Sequence, residues 1–193
     1  MQEQSPLGHR IEIDIPSGVT LFGPNIEADV HLLIALGNVV RAASMTDQAL
    51  RGLYCALIGS PYAAITAAGQ MSRQLIDWCQ AVAKSRLDLT DEQKATIKGE
   101  LATLISLVER RNRFVHDVWA RGATGPSLIR SSKGNYELSI EPVTLDDLAA
   151  TAIGLNGSSV AITNWIFETL GAEAVGLEAQ LRWIQEQSRQ DIE

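Results

Sequence analysis

The stretch Leu101–Trp119, LATLISLVERRNRFVHDVW, decides how the rest of the chain is read. Wound as a helix, it places Leu101, Leu104, Ile105, Leu107, Val108, Phe114, Val115, Val118 and Trp119 within one arc. That arc is about 180° wide, the pattern of a helix that faces a core. Glu109, Arg110, Arg113 and Asp117 fall on the opposite side. Arg111 projects near the middle of the apolar arc, Asn112 lies within it and His116 stands at its edge. Asn112 and His116 are four residues apart and therefore share a face. A guanidinium on an apolar stripe is costly unless it is paired or the stripe lines a cleft or interface.

Outward from this helix, the chain reads as all-α: an antiparallel bundle of four to five helices with a small β-hairpin insertion. On the N-terminal side, Ile11, Ile13 and Ile15 alternate with Glu12 and Asp14 as a short strand in an extended segment over 1–25. Asn25 opens a long helix over Ile26–Ile58, in which Val30, Leu33, Ile34, Val40, Leu50, Leu53 and Leu57 recur at helical spacing. Gly59-Ser60-Pro61 stops it. A second helix is expected over Tyr62–Lys84, with Ile65, Ala68, Met71, Leu75, Trp78, Cys79 and Val82 inward. Thr90-Asp91-Glu92-Gln93 caps the start of the central helix. Short connections predict that each helix packs antiparallel to its sequence neighbour.

On the C-terminal side, Arg121–Pro126 has loop composition. Ser127–Arg130 and Tyr136–Ile140 flank Ser-Ser-Lys-Gly-Asn as a β-hairpin over about 127–141. Thr144 with Asp147 then opens a helix with Leu145, Leu148, Ala152, Ile153, Val160, Trp165 and Ile166 inward, weakened by Gly154 and Gly157. An amphipathic piece around Glu173–Glu186 closes the chain. No repeat or linker divides it, so residues 1–193 are read as a single domain.

Composition narrows the function. The chain is 46% apolar and 20% charged, and its apolar runs are far shorter than the ~18 residues of a membrane span. The N-terminus lacks the basic-then-apolar design of a signal peptide, and Cys55 and Cys79 are expected as buried free thiols. A cytoplasmic protein with no membrane association is the expectation. The net charge of −7 argues against a protein that grips nucleic acid over its whole surface. Between Ser106 and Lys133, however, Arg110, Arg111, Arg113, Arg121, Arg130 and Lys133 face only Glu109 and Asp117. Such a local basic patch suits a polyanionic ligand, and Arg110, Arg113 and Arg121 are candidate contacts to it. Cations at a helix end, favoured by its dipole, account for part of the same pattern. There is no phosphate-binding glycine loop, HExxH or CxxC, and His9, His31 and His116 are widely separated, so neither a metal site nor a cofactor is expected. No nucleophile elbow is visible either.

Arg111-Asn112-Arg113-Phe114-Val115-His116 resembles the R-x(4–6)-H motif of the HEPN superfamily, in which Asn, Asp or His often follows the arginine. The surrounding ERRNRFVHDVW is similar to uncharacterised bacterial members. The resemblance implies a homodimeric, metal-independent endoribonuclease of toxin or defence type, with Arg111, Asn112 and His116 as catalytic residues and Arg110, Arg113 and Arg121 as candidate RNA contacts. It also admits a catalytically silent nucleotide- or protein-binding relative. An antitoxin or nucleotidyltransferase partner is implied for some members; those paired with a nucleotidyltransferase carry tyrosine two residues after the histidine, where this chain has Val118. A purely structural reading is open as well. In it Arg111 pairs with Asp47, Asp77 or Glu168 on a facing helix, Asn112 caps a kink and His116 ends the helix.

Overall fold

A computed structural model describes residues 20–21, 30–60, 62–122, 125–131 and 138–171. They are mostly helical, with a small antiparallel sheet. Helix α1 runs over Val30–Ile58, α2 over Ala63–Ala67, α3 over Ser72–Ser85, α4 over Asp91–His116 and α5 over Leu145–Trp165, which widens into a π-helical turn at Ile166–Leu170. Strands β1 (Thr20–Leu21), β2 (Val118–Gly122), β3 (Gly125–Ser131) and β4 (Leu138–Pro142) form the sheet in sequence order. No described helix is long and apolar enough to cross a membrane. The expected strand at Ile11–Ile15, the start of the first helix at 26–29 and the closing piece Glu173–Glu186 lie outside the described residues.

The single helix expected over Tyr62–Lys84 is two. Gly69 takes φ 75°, a left-handed conformation open to glycine, and the chain reverses there. Helix α2 therefore returns along α1, and α3 turns to run parallel to α1. Contacts advance in the same direction along both: Ser72 meets Asp47, Cys79 meets the Leu50 carbonyl and Arg86 meets the Ala56 and Leu57 carbonyls. The break leaves Ile65, Ala68 and Met71 exposed rather than inward, while Leu75 and Cys79 are buried. Both cysteines are free, Cys55 only half-buried; burial, with Cys55 nearby, pushes the Cys79 thiol up to about 12.

Helix α4 begins on the anticipated capping box. The Thr90 hydroxyl accepts from the Gln93 N–H, and the Gln93 side chain accepts from the Thr90 N–H. Helix α5 begins the same way on Thr144 and Asp147. The two helices run antiparallel. The Trp165 indole donates to the Gln93 carbonyl at 3.2 Å, and Gly154 lets α5 approach so closely that a Cβ there would lie 2.8 Å from a Leu107 methyl. The core is built from Leu50, Leu53, Leu75, Ile76, Leu101, Leu104, Leu148, Leu155 and Ile162. Val30, Leu33, Ile34 and Val40 of α1, and Leu145, Ile153 and Val160 of α5, are exposed; helical spacing alone does not say which side is covered.

Helix α4 ends at His116, three residues before the expected Trp119. Asp117 turns extended (ψ 159°), its N–H still bonded to the Arg113 carbonyl. Val118 and Trp119 pair instead with Ile129 and Leu128 across β2–β3, as β-branched and aromatic residues favour. The Trp119 indole donates to the Phe114 carbonyl at 2.8 Å, satisfying an acceptor that the helix end leaves open. The segment read as loop, Arg121–Pro126, thus belongs to a β2–β3 hairpin, and the hairpin expected over 127–141 appears as β3–β4 with its tip, residues 132–137, outside the description. The insertion is a sheet rather than one hairpin.

Candidate phosphate-binding cleft

Arg111 leaves α4 toward the place where α1 and α3 meet. Its Nη2 donates to the Ser72 hydroxyl at 3.2 Å and lies 3.7 Å from an Asp47 carboxylate oxygen. The Ser72 hydroxyl in turn donates to the other Asp47 oxygen at 2.6 Å. Of the partners that sequence offered for this arginine, the structure brings Asp47. The pair is not sealed: the Arg111 and Asp47 side chains are 18% and 25% exposed.

Both residues line an open cleft of about 1080 Å³ bounded by α1, the start of α3, the last turns of α4 and β3. Asn112 and His116 line it as well, so the three candidate catalytic residues share one cavity wall. Asn112 is exposed rather than set among apolar side chains: the final turns of α4 bury Val108 and Phe114, and Asn112 lies off that face. His116 is also exposed, at the helix end. Five arginines line the cleft, Arg73, Arg110, Arg111, Arg113 and Arg130, against three carboxylates, Asp47, Glu109 and Asp117. The excess of positive charge in a concave surface raises the local concentration of anions.

The arginines are not equivalent. Arg73 lies between Asp77 at 3.5 Å and Glu109 at 3.7 Å, both pairs well exposed. Arg113 is bonded to Glu141 on β4 and lies 3.9 Å from Asp117. For Arg110 and Arg130 no ion pair is formed among the described residues. Arg110 lies near Asp147, whose carboxyl is held below the usual range first by the Thr144 hydroxyl, then by the Thr144 backbone and the Arg110 charge. Of the candidate RNA contacts, Arg110 and Arg113 are in the cleft; Arg121 lies on β2 opposite Thr20 and Pro126, with its side chain outside the description.

Three buried polar atoms of this cleft have no hydrogen-bond partner: Arg111 Nε, Arg113 Nε and Asp117 Oδ2. Two are donors and one is an acceptor; Arg113 Nε and Asp117 Oδ2 face each other at 3.9 Å, a gap too long for a hydrogen bond, while Arg111 Nε has no acceptor. Sequence reasoning missed Ser72 and Arg73, which carry no signal before α3 is known to fold back beside α4. Arg130 counted toward the basic window, but only the β2–β3 pairing brings it to the cleft. Among the described residues, no group of three or more His, Cys, Asp or Glu side chains is gathered as metal ligands are.

No family model matches the chain, and no curated protein and no solved structure matches it.

Proposed function

We propose that this chain is a HEPN-type domain, a four- to five-helix bundle with a β insertion, that acts as a homodimer and cuts RNA without a metal ion. One observation carries the reading: Arg111, Asn112 and His116 converge on one basic cleft with Arg110, Arg113 and Arg130. Cleavage by attack of the ribose 2′-oxygen on its own phosphate needs a base for the 2′-OH and an acid for the departing 5′-oxygen. It also needs positive charge beside the phosphorane. His116 fills one proton-transfer role near neutral pH. Arg111 offers a planar cation matched to phosphate oxygens, and Asn112 a neutral donor beside it. One histidine per chain supplies one role, so a two-fold axis that brings a second His116 to the scissile phosphate completes the set. Arg110 and Arg130, with no described ion pair, grip flanking phosphates. An antitoxin or a nucleotidyltransferase is the partner such an enzyme would have.

A second reading, a binding module that holds nucleotide or protein without cutting, is favoured by one specific observation. Arg111 already shares its charge with Asp47 and a hydrogen bond with Ser72.

The discriminating experiment is cleavage of single-stranded RNA by the purified chain in EDTA. The expected products carry 2′,3′-cyclic phosphate and 5′-hydroxyl ends, DNA of the same sequence stays intact because it lacks the nucleophile, and light scattering gives a dimer. Cleavage that requires Mg²⁺ rejects the mechanism. A folded dimer that binds RNA and never cuts it leaves the binding module.

A further inference from the structure

The contacts of Arg111 are arranged unlike those of an arginine that merely neutralises a carboxylate. A guanidinium and a carboxylate left to themselves form a two-pronged fork with N···O distances near 2.8 Å. Here the approach of Arg111 Nη2 to Asp47 is 3.7 Å, too long for a hydrogen bond. The short bond of Asp47, 2.6 Å, goes to the Ser72 hydroxyl, and the lone pair of that hydroxyl receives Arg111. The protons therefore point one way, from arginine to serine to carboxylate, and each bond polarises the next. Three helices contribute one member each: Asp47 from α1, Ser72 from the first residue of α3 and Arg111 from α4. The relay engages Nη2 and Nε is buried, so the nitrogen of this cleft-lining guanidinium left to meet a ligand is Nη1, which makes no hydrogen bond among the described residues.

We propose that Asp47 and Ser72 are positioning residues: they hold Arg111 by Nη2 so that its Nη1 is presented to a phosphate oxygen in the cleft. The inference rests on reading the cleft as a phosphate site. Serine suits the middle place because its hydroxyl donates and accepts at once. The buried position of Ser72, 5% exposed, keeps water from substituting for it. The Asp47 charge, accepting from the serine, keeps the relay polarised.

The test uses the full-length, ¹⁵N-labelled chain and inorganic phosphate as the probe, following the Nε–H resonance of Arg111 as the reporter of its guanidinium, identified by its loss in Arg111→Lys. In the unmutated protein that resonance should shift and saturate with phosphate. Ser72→Ala should weaken the phosphate affinity read at this resonance by about tenfold, the worth of one hydrogen bond to a charged group. Asp47→Asn should weaken it as well, and Ser72→Thr, which keeps the hydroxyl, should restore most of the loss. An unchanged affinity in Ser72→Ala with an unchanged melting temperature overturns the proposal. So does tighter phosphate binding in Asp47→Asn, which would make the carboxylate a competitor. An Arg111 resonance indifferent to phosphate in the unmutated chain also overturns it. If the variants follow the expected order while RNA stays uncut, the positioning role stands and the ribonuclease reading fails alone.

Discussion

Two regions of this molecule bury polar groups, and they treat them in opposite ways. Where α1 packs on α5, buried threonine hydroxyls donate to backbone carbonyls. Thr46, 1% exposed, shares its proton between the Ala42 carbonyl at 2.9 Å and the Leu155 carbonyl at 3.0 Å, and Thr151 donates to the Asp147 carbonyl one turn earlier at 2.8 Å. At the cleft, charges are only partly matched, and Arg111 Nε, Arg113 Nε and Asp117 Oδ2 have no hydrogen-bond partner. The threonine hydroxyls of the first region are complete without a ligand, although Asn156 Oδ1 on α5 is buried with no hydrogen-bond partner. The charges of the cleft are not, and the difference separates polar groups that hold the fold together from polar groups kept for something else.

The largest effect that can break this comparison is on activity. His116→Ala should lower the rate of RNA cleavage by roughly 10²–10⁴ and, because the side chain is exposed, leave the melting temperature within a degree or two of the parent by about the tolerance of ordinary surface changes. Full activity in this variant would remove His116 from the site. Next comes Thr46→Val, which keeps the shape and deletes the shared proton. A loss of roughly 1–2 kcal/mol in urea unfolding is expected, with no change in phosphate binding. Arg111→Ala should cost about 1 kcal/mol, not the roughly 3–5 kcal/mol of a broken sealed ion pair. The Ser72 hydroxyl still donates to Asp47 after the change, and both members of the pair reach solvent. Collapse of the fold in Arg111→Ala would move that arginine into the first region. The smallest effect belongs to Asp88, outside both regions, whose carboxyl is held at about 2, below its ordinary 3.8, chiefly by the Arg86 side chain. A depressed carboxylate contributes stability above its unfolded-state pKa and loses it as pH falls through the folded one. The melting-temperature gap between the parent and Asp88→Asn should therefore be open above about pH 4 and close toward about pH 2.

The helical class, the start of α4 and the start of α5 were legible because their signals are local: a capping box binds its own first turn, as at Thr90 and Thr144. The fold-back at Gly69 was not, since Tyr62–Lys84 keeps a helical period through the break and a lone glycine does not announce a left-handed turn. The end of α4 misled for a related reason. Val118 and Trp119 continue the apolar period of the helix, yet their partners, Ile129 and Leu128, lie across a hairpin. For the cleft, the Arg111/Asn112/His116 spacing could be read along one helix, and Asp47 could be named among three candidates for Arg111. Ser72, Arg73 and Arg130 reach the same cavity from α3 and β3, and no periodicity carries information about a contact between elements.

Arg86, just past the end of α3, donates to the Leu57 carbonyl at 2.8 Å and to that of Ala56 at 3.3 Å, closing the end of α1. Fourteen residues earlier, Ser72 is bonded to Asp47. The same two helices are thus fastened at both ends of a span of about 20 Å at the α-helical rise per residue. Neither can slide or roll against the other without breaking a fastening. Arg86 thus fixes the register of α3 on α1 at the end remote from Ser72, the residue that receives Arg111.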